Sequence, residues 1–120
     1  MKKFFTLMAL FAITASSQAG DIANGKKIYK KINCTMCHNA NGSGKASDVS
    51  KIRMTKGPKI AGLDAAYVAE QVIAVQSKKR KTKNTAMMYA KVKKLSKKEI
   101  ADVAAYVASL GPKYKGMFQK

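Results

Sequence analysis

The chain has few of the side chains from which proteins build metal or redox sites, and little acidic charge. Its 120 residues contain two Cys, one His and 6 Asp and Glu against 24 Lys and Arg. The two cysteines and the histidine cannot by themselves supply the four ligands of a structural zinc site. A metal centre with two histidines from one chain is also excluded.

Strand signals are scarce as well. β-Branched residues are spread along the sequence, and no alternating run is bounded by hairpin turns. No internal repeat or second domain is evident, and the length suits one small domain with a small core. These absences predict an all-α fold.

One long apolar run is present, at the start of the chain. It extends from Phe4 to Ala15, follows Lys2 and Lys3, and precedes Ser17-Gln18-Ala19. This order is typical of a secretory signal peptide, and the run is short for a membrane span. We expect residues 1–19 to be a signal peptide cleaved after Ala19 and the mature protein to be periplasmic. An uncleaved anchor is the alternative.

Both cysteines and the histidine lie in one run, Cys34-Thr35-Met36-Cys37-His38. A C-x-x-C-H run is the attachment signature of a c-type haem. Cys34 and Cys37 can each add to a vinyl group of one porphyrin, and His38 can bind the iron. A structural or redox disulfide between the cysteines is the alternative, although so small a loop adds little stability. The motif predicts one covalent haem c.

Three segments carry helix signals. Apolar residues recur at three- and four-residue spacing from Asp21 to Asn33, and Asp64 can cap a second helix that reaches about Ser77. The capping box Ser96-Lys97-Lys98-Glu99 begins a third helix. Its expected buried face is Ile100, Val103, Tyr106, Val107 and Leu110, and Gly111-Pro112 ends it.

The order of these features is similar to that of the small bacterial class I cytochromes c. It runs helix, C-x-x-C-H, Gly-Pro loop, helix, methionine loop and final helix. The resemblance covers the chain from about Asp21 to Leu110. It implies three main helices and loops around one haem, in a domain of residues 20–112 followed by a basic tail of residues 113–120. Gly25 and Tyr29 resemble the pair at which the family's first helix crosses the last, where Val103 and Tyr106 would face them.

The segment from Gly57 to Leu63 resembles the family's proximal loop. There, a proline carbonyl accepts the Nδ1 proton of the ligating imidazole and fixes its tautomer. The resemblance gives this role to Pro58, as a residue supporting His38 rather than a ligand. An ordinary loop proline is the alternative.

Since His38 is the sole histidine, the sixth iron position can be taken by a methionine or a lysine, or it can stay open. Met36 is bridged by the two cysteines, Met54 lies too close to Pro58, and Met117 follows the last helix. Met87 and Met88 remain. Core packing by both methionines is the alternative to ligation.

The resemblance favours Met88 over Met87. In the family the ligand methionine lies seven residues before a leucine that introduces the last helix, and Leu95 has Met88 at that distance. Many relatives have a proline directly after the ligand, whereas this chain has Tyr89. We therefore expect a less rigid methionine loop.

Charge indicates the class of partner. Without Lys2 and Lys3, 22 basic residues face 6 acidic ones. The positive electrostatic field of this surplus attracts acidic partner proteins and, weakly, anionic lipid. An exported chain without a recognition motif is not expected to bind nucleic acid.

These features together predict a monomeric one-electron carrier rather than an enzyme. Histidine and methionine ligation saturates the iron and suits electron transfer. The expected partners are a membrane-bound donor and a terminal oxidase or peroxidase. The alternative is a haem c enzyme subunit, or a gas- or peroxide-reactive protein, with an open sixth position.

Overall fold

The structure of the chain is a computed structural model that describes residues 20–44 and 57–116. Within these ranges the regular elements are all helices: α1 (Ile22–Lys31), α2 (Cys34–His38), α3 (Ala65–Gln76), α4 (Thr85–Val92) and α5 (Lys97–Ala108). The predicted all-α fold is confirmed, and its three main helices are α1, α3 and α5. The proposed signal peptide, Met54 and Met117 lie outside the described residues.

Side-chain caps define where the long helices begin. The carboxylate of Asp21 accepts from the Asn24 amide at the start of α1, at 3.1 Å. The carboxylate of Asp64 caps α3 in the same way. Both predicted bonds of the capping box join Ser96 and Glu99, each at 3.1 Å. These bonds satisfy amides that a helix leaves unpaired in its first turn.

Helices α1 and α5 cross closely at Gly25. A Cβ at this position would collide with the backbone carbonyl of Asp102 and lie 2.8 Å from Tyr106 Cβ. The rings of Tyr29 and Tyr106 meet edge to face, with centroids 5.3 Å apart. The predicted crossing is therefore confirmed, because only a residue without a side chain permits this approach.

In the described part of the chain, an apolar core lies between α1, α3, α4 and α5. The predicted α5 face contributes Ile100, Val103 and Val107, while Tyr106 packs at its edge. The other buried members are Ala104 and Leu63 together with residues that are β-branched or aromatic: Ile28, Tyr29, Val68, Val72, Val75 and Val92. Cys34 and Met88 both pack against this core, so the two halves of the proposed haem site border the same apolar interior.

The segment that contains Met87 and Met88 is helical, so the expected methionine loop is wrong. Thr85–Val92 forms α4 and includes Ala and Met, which have good helix propensity. Tyr89 lies inside this helix, and its carbonyl accepts from the Lys93 amide at 3.0 Å. A proline at residue 89 would disrupt α4, which accounts for the departure from the family pattern.

Each helix of the described ranges falls short of the length and apolarity that a membrane span requires.

Asp102 is a buried carboxylate that joins α5 to the start of α1. Its side chain is 2% exposed and accepts from Lys98 Nζ at 2.9 Å, Asn24 Nδ2 at 2.7 Å and the Asp21 amide at 2.8 Å. These donors, led by Lys98, lower the pKa of Asp102 to about 2. Since the folded-state pKa is depressed, the charged carboxylate stabilises the fold above its ordinary pKa of about 3.9.

We expect this stabilisation to disappear as the pH falls from about 4 to about 2. An Asp102→Asn variant should be less stable than the parent at pH 7, and the difference should shrink through this pH range. Urea unfolding of the haem-loaded protein between pH 2 and 7 measures it. Asp64→Asn is the control, because Asn and Asp cap helices about equally well. A pH-independent difference for Asp102→Asn would contradict the assignment.

Candidate functional site

The C-x-x-C-H run forms its own short helix, α2. Asn33 and Asn39 flank it, and both have left-handed φ values, 59° and 64°. Asn33 combines its φ with a ψ of 38°, in the left-handed helical region that asparagine adopts more readily than most residues. Asn39 has a ψ of 165° and lies outside that region. The positive φ values give sharp turns before Cys34 and after His38, which no pattern in the sequence indicated.

The helical turn places the two cysteines together. Cys34 and Cys37 are three residues apart in α2, so their side chains lie on neighbouring positions of one helix face. Both thiols are free and partly buried. Burial raises the pKa of the Cys34 thiol to about 11. Because a redox-active cysteine pair needs a lowered pKa, the environment is unfavourable for the disulfide-exchange alternative.

The imidazole of His38 is held by the loop that contains Pro58. Its Nδ1 lies 2.8 Å from the Pro58 carbonyl oxygen. A carbonyl can only accept, so Nδ1 carries the proton and Nε2 is the nitrogen that can bind a metal. Burial lowers the pKa of His38, against an opposing effect of the Pro58 carbonyl. The imidazole is therefore neutral near pH 7, as ligation requires.

Glycine at residue 57 permits this arrangement. Gly57 has a φ of +88°, and a Cβ there would collide with the carbonyl oxygen of Cys37. The loop can approach α2 closely only because this side chain is absent. The resemblance to the family's proximal loop predicted a role for Pro58 but none for Gly57.

Asn39 organises the segment that follows His38. Its side-chain amide donates to the Gly44 carbonyl at 2.8 Å and to Ser43 Oγ at 3.0 Å. Its own carbonyl accepts from the buried Tyr29 hydroxyl at 2.6 Å. These bonds tie the proposed proximal side of the site to α1. Nothing in the sequence alone indicated this role.

Met88 points toward the core, whereas Met87 points toward solvent. Met88 follows Thr85 by three residues and precedes Val92 by four, and both of those residues are buried. It therefore lies on the inward face of α4. Met87 is 47% exposed, and Met36 is 51% exposed. The helix thus separates two adjacent methionines that the sequence alone left as competitors.

Polar side chains hold both ends of α4. The buried Thr85 hydroxyl accepts from the Thr82 amide at 2.8 Å and donates to the Thr82 carbonyl at 3.0 Å. At the other end, Gln76 Nε2 donates to the carbonyls of Val92 and Leu95, at 3.1 and 2.8 Å. Thr85 and Gln76 thereby hold the helix that carries Met88, although no motif in the sequence marks Gln76.

Among residues 20–44 and 57–116, no three His, Cys, Asp or Glu side chains converge into another metal site. The α2 helix offers two thiols and one imidazole nitrogen, and α4 carries the Met88 thioether on its inward face.

Comparison with known proteins identifies the family. A family model described as Cytochrome c matches residues 22–111, which include all five helices. The chain belongs to the cytochrome c family. It is also 34% identical over 91 residues to cytochrome c-554(548) of Halomonas halodenitrificans, covering 76% of this chain and 98% of that protein. The all-helical structure agrees with a class I cytochrome c fold.

Membership of the cytochrome c family means that the chain carries covalently bound haem c. The residues fit this group. Cys34 and Cys37 present free thiols at the spacing required for two thioether bonds, and the Pro58 bond leaves His38 Nε2 for iron. The same hydrogen bond would make His38 a stronger ligand.

Gly57→Ala should disturb this site. The new Cβ would displace Pro58 from His38, and its backbone would be strained, so we expect a loss of about 1–3 kcal/mol in unfolding free energy. Chemical unfolding measures the loss, and the NMR signal of the His38 Nδ1 proton should broaden or shift. Gly111→Ala is the control, since its Cβ would lie an ordinary 3.7 Å from Ala61 Cβ. Equal effects of the two substitutions would contradict the prediction.

Proposed function

We propose that this cytochrome is a periplasmic one-electron carrier in which His38 and Met88 ligate the haem iron. The observation that carries the proposal is α2, which presents Cys34 and Cys37 on one helix face and His38 with its Nδ1 bonded to Pro58. Bound haem c supplies the one-electron couple. The chain's residues then determine its potential, its exposure and its partners.

Two features of the chain suit electron transfer without bond rearrangement. His38 is fixed by its hydrogen bond, and α4 is held at both ends by Thr85 and Gln76. Ligands on rigid supports change position little between redox states. A thioether in the sixth position also favours a higher potential and leaves no position for O₂ or peroxide. The role proposed is therefore a carrier and not an enzyme.

Export to the periplasm is supported by the sequence. The basic start, the apolar run and Ala19 predict a cleaved signal peptide. Haem c attachment takes place on the exported side of the membrane, so the family assignment agrees with this location. The mature domain would begin at Gly20.

A cleft beside the site supports acidic protein partners. It lies between the end of α1 and the α4–α5 connection, has a volume of about 450 Å³, and combines an apolar floor with a basic rim. Its lining residues, called here the lysine cleft, are Ile28, Lys31, Ile32, Ala90, Lys91, Lys93, Lys94, Leu95 and Glu99.

The lysine cleft joins two basic runs that are far apart in the sequence. Lys31 ends the first run, and Lys93 and Lys94 belong to the second. Four lysines face one acidic side chain, Glu99, so the cleft attracts an acidic surface while Ile32 and Leu95 offer apolar contact. The expected partners are acidic surfaces on a membrane-bound donor and on a terminal oxidase or peroxidase, met by a monomeric carrier.

Met88→Ala tests the ligand assignment. Loss of the thioether should abolish the far-red methionine-to-iron band, lower the reduction potential and permit CO binding to the ferrous protein. Met87→Ala is the matched control and should leave all three unchanged. Absorption spectra with and without CO measure these effects. Ready CO binding by the parent protein would instead support the haem enzyme or gas-reactive alternative.

Charge reversal in the lysine cleft tests the docking site. In the reaction of the reduced cytochrome with hexacyanoferrate(III), Lys93→Glu with Lys94→Glu should slow electron transfer by roughly tenfold at low salt. Stopped-flow absorption at several ionic strengths measures the rate. Lys113→Glu with Lys115→Glu makes the same change of net charge away from the cleft and should have a smaller effect. Equal slowing would show that only net charge matters.

A further inference from the structure

The last described residues turn back over the loop that holds His38. Pro112–Gly116, called here the C-terminal strap, follows α5 and lies entirely beyond residue 111, where the family match ends. The Tyr114 amide donates to the Gly62 carbonyl at 2.9 Å. This segment is thus packed against the proximal loop, Gly57–Leu63.

Gly62 is enclosed between α5 and the C-terminal strap. Its amide donates to the Val107 carbonyl at 3.1 Å. Its φ is +83°, and a Cβ there would collide with the carbonyl oxygen of Pro112. The strap therefore lies directly on the backbone of the proximal loop, in the space that a side chain would occupy.

The Tyr114 side chain makes a second contact with the same loop. Lys59 Nζ lies 4.6 Å from the centroid of the Tyr114 ring, within the range of a cation–π interaction. The ring also packs against the hydrophobic core. Since Lys59 directly follows Pro58, this contact is one residue from the carbonyl that binds His38.

The other side of the proximal loop rests on the segment that follows His38. The amides of Ile60 and Ala61 both donate to the Gly42 carbonyl, at 2.9 and 3.0 Å. Gly44 donates from its amide to the His38 carbonyl at 3.0 Å. The proximal loop is consequently layered between the His38 segment and the C-terminal strap.

We propose that the C-terminal strap is a positioning element for the proximal ligand, with Tyr114 as its principal residue. By holding Lys59 and Gly62, Tyr114 keeps the Pro58 carbonyl against His38 Nδ1. The proposal rests on His38 as the iron ligand and is independent of the ligand on the opposite face.

Tyr114→Ala in the haem-loaded protein tests the proposal. We expect solvent exchange of the His38 Nδ1 proton to accelerate by about tenfold, because the substitution removes the ring that contacts Lys59 and packs on the core, while the backbone bond from residue 114 to Gly62 can still form. The reduction potential should become more positive, because a weaker Pro58 bond makes the imidazole less electron-donating. NMR exchange and redox titration measure the two effects.

Matched variants separate positioning from general stability. Tyr114→Phe keeps the ring, so its proton exchange rate and reduction potential should equal those of the parent. Lys59→Met removes only the cation and should change both quantities in the same direction as Tyr114→Ala, but by a smaller amount. Lys115→Ala, an exposed change in the same strap, should leave both unchanged. A Tyr114→Ala protein that loses thermal stability but keeps the parent's proton exchange and potential would overturn the proposal.

A measurement on the unaltered protein applies even if Tyr114→Ala does not fold. The Tyr114 amide and the His38 Nδ1 proton should exchange through one opening event, with the same dependence on denaturant. Rapid exchange at Tyr114 with continued protection at His38 would overturn the proposal. CO binding tests whether the sixth iron position is open. It therefore distinguishes a failure of the proposed carrier function from a failure of the proposal for the C-terminal strap.

Discussion

The close crossing of α1 and α5 is the constraint on which the rest of the structure depends. At Gly25 the two backbones approach to a distance that excludes any side chain, and Tyr29 and Tyr106 pack beside this point. The buried Asp102 side chain adds hydrogen bonds to the start of α1. This crossing fixes the direction of α1 and hence the place where α2 begins. The haem-binding residues are therefore oriented by a contact at the opposite end of α1.

The two sides of the proposed haem site are held by different interactions. On the proximal side, hydrogen bonds between loop backbones dominate, from His38 to Pro58 and from the proximal loop to Gly42 and the C-terminal strap. On the distal side, α4 packs Met88 toward the core and is pinned by Thr85 and Gln76. Directional bonds suit a ligand whose ring orientation matters, whereas packing suits a flexible thioether.

Four of the six acidic residues in the sequence have a clear structural role in the described part of the chain. Asp21 and Asp64 cap helices, Glu99 completes the capping box, and Asp102 joins α1 to α5. These four carboxylates therefore form hydrogen bonds within the fold. The lysines, in contrast, collect where two helix ends meet, and Glu99 is the one acidic side chain that lines the lysine cleft. The chain thus combines carboxylates that bond within the fold with a basic surface at the lysine cleft.

The sequence by itself determined the cofactor, the order of the main helices and their caps, because these depend on residues close together in the chain. Cys34, Cys37 and His38 are one local motif, and Ser96 and Glu99 are one capping box. The tertiary structure decided what depends on distant segments. The methionine segment is a helix, with Met88 on its inward face and Met87 exposed. Lys31 lines the same cleft as Lys93 and Lys94, and Tyr114 packs on the proximal loop. Such arrangements follow from packing between elements, which local spacing does not specify.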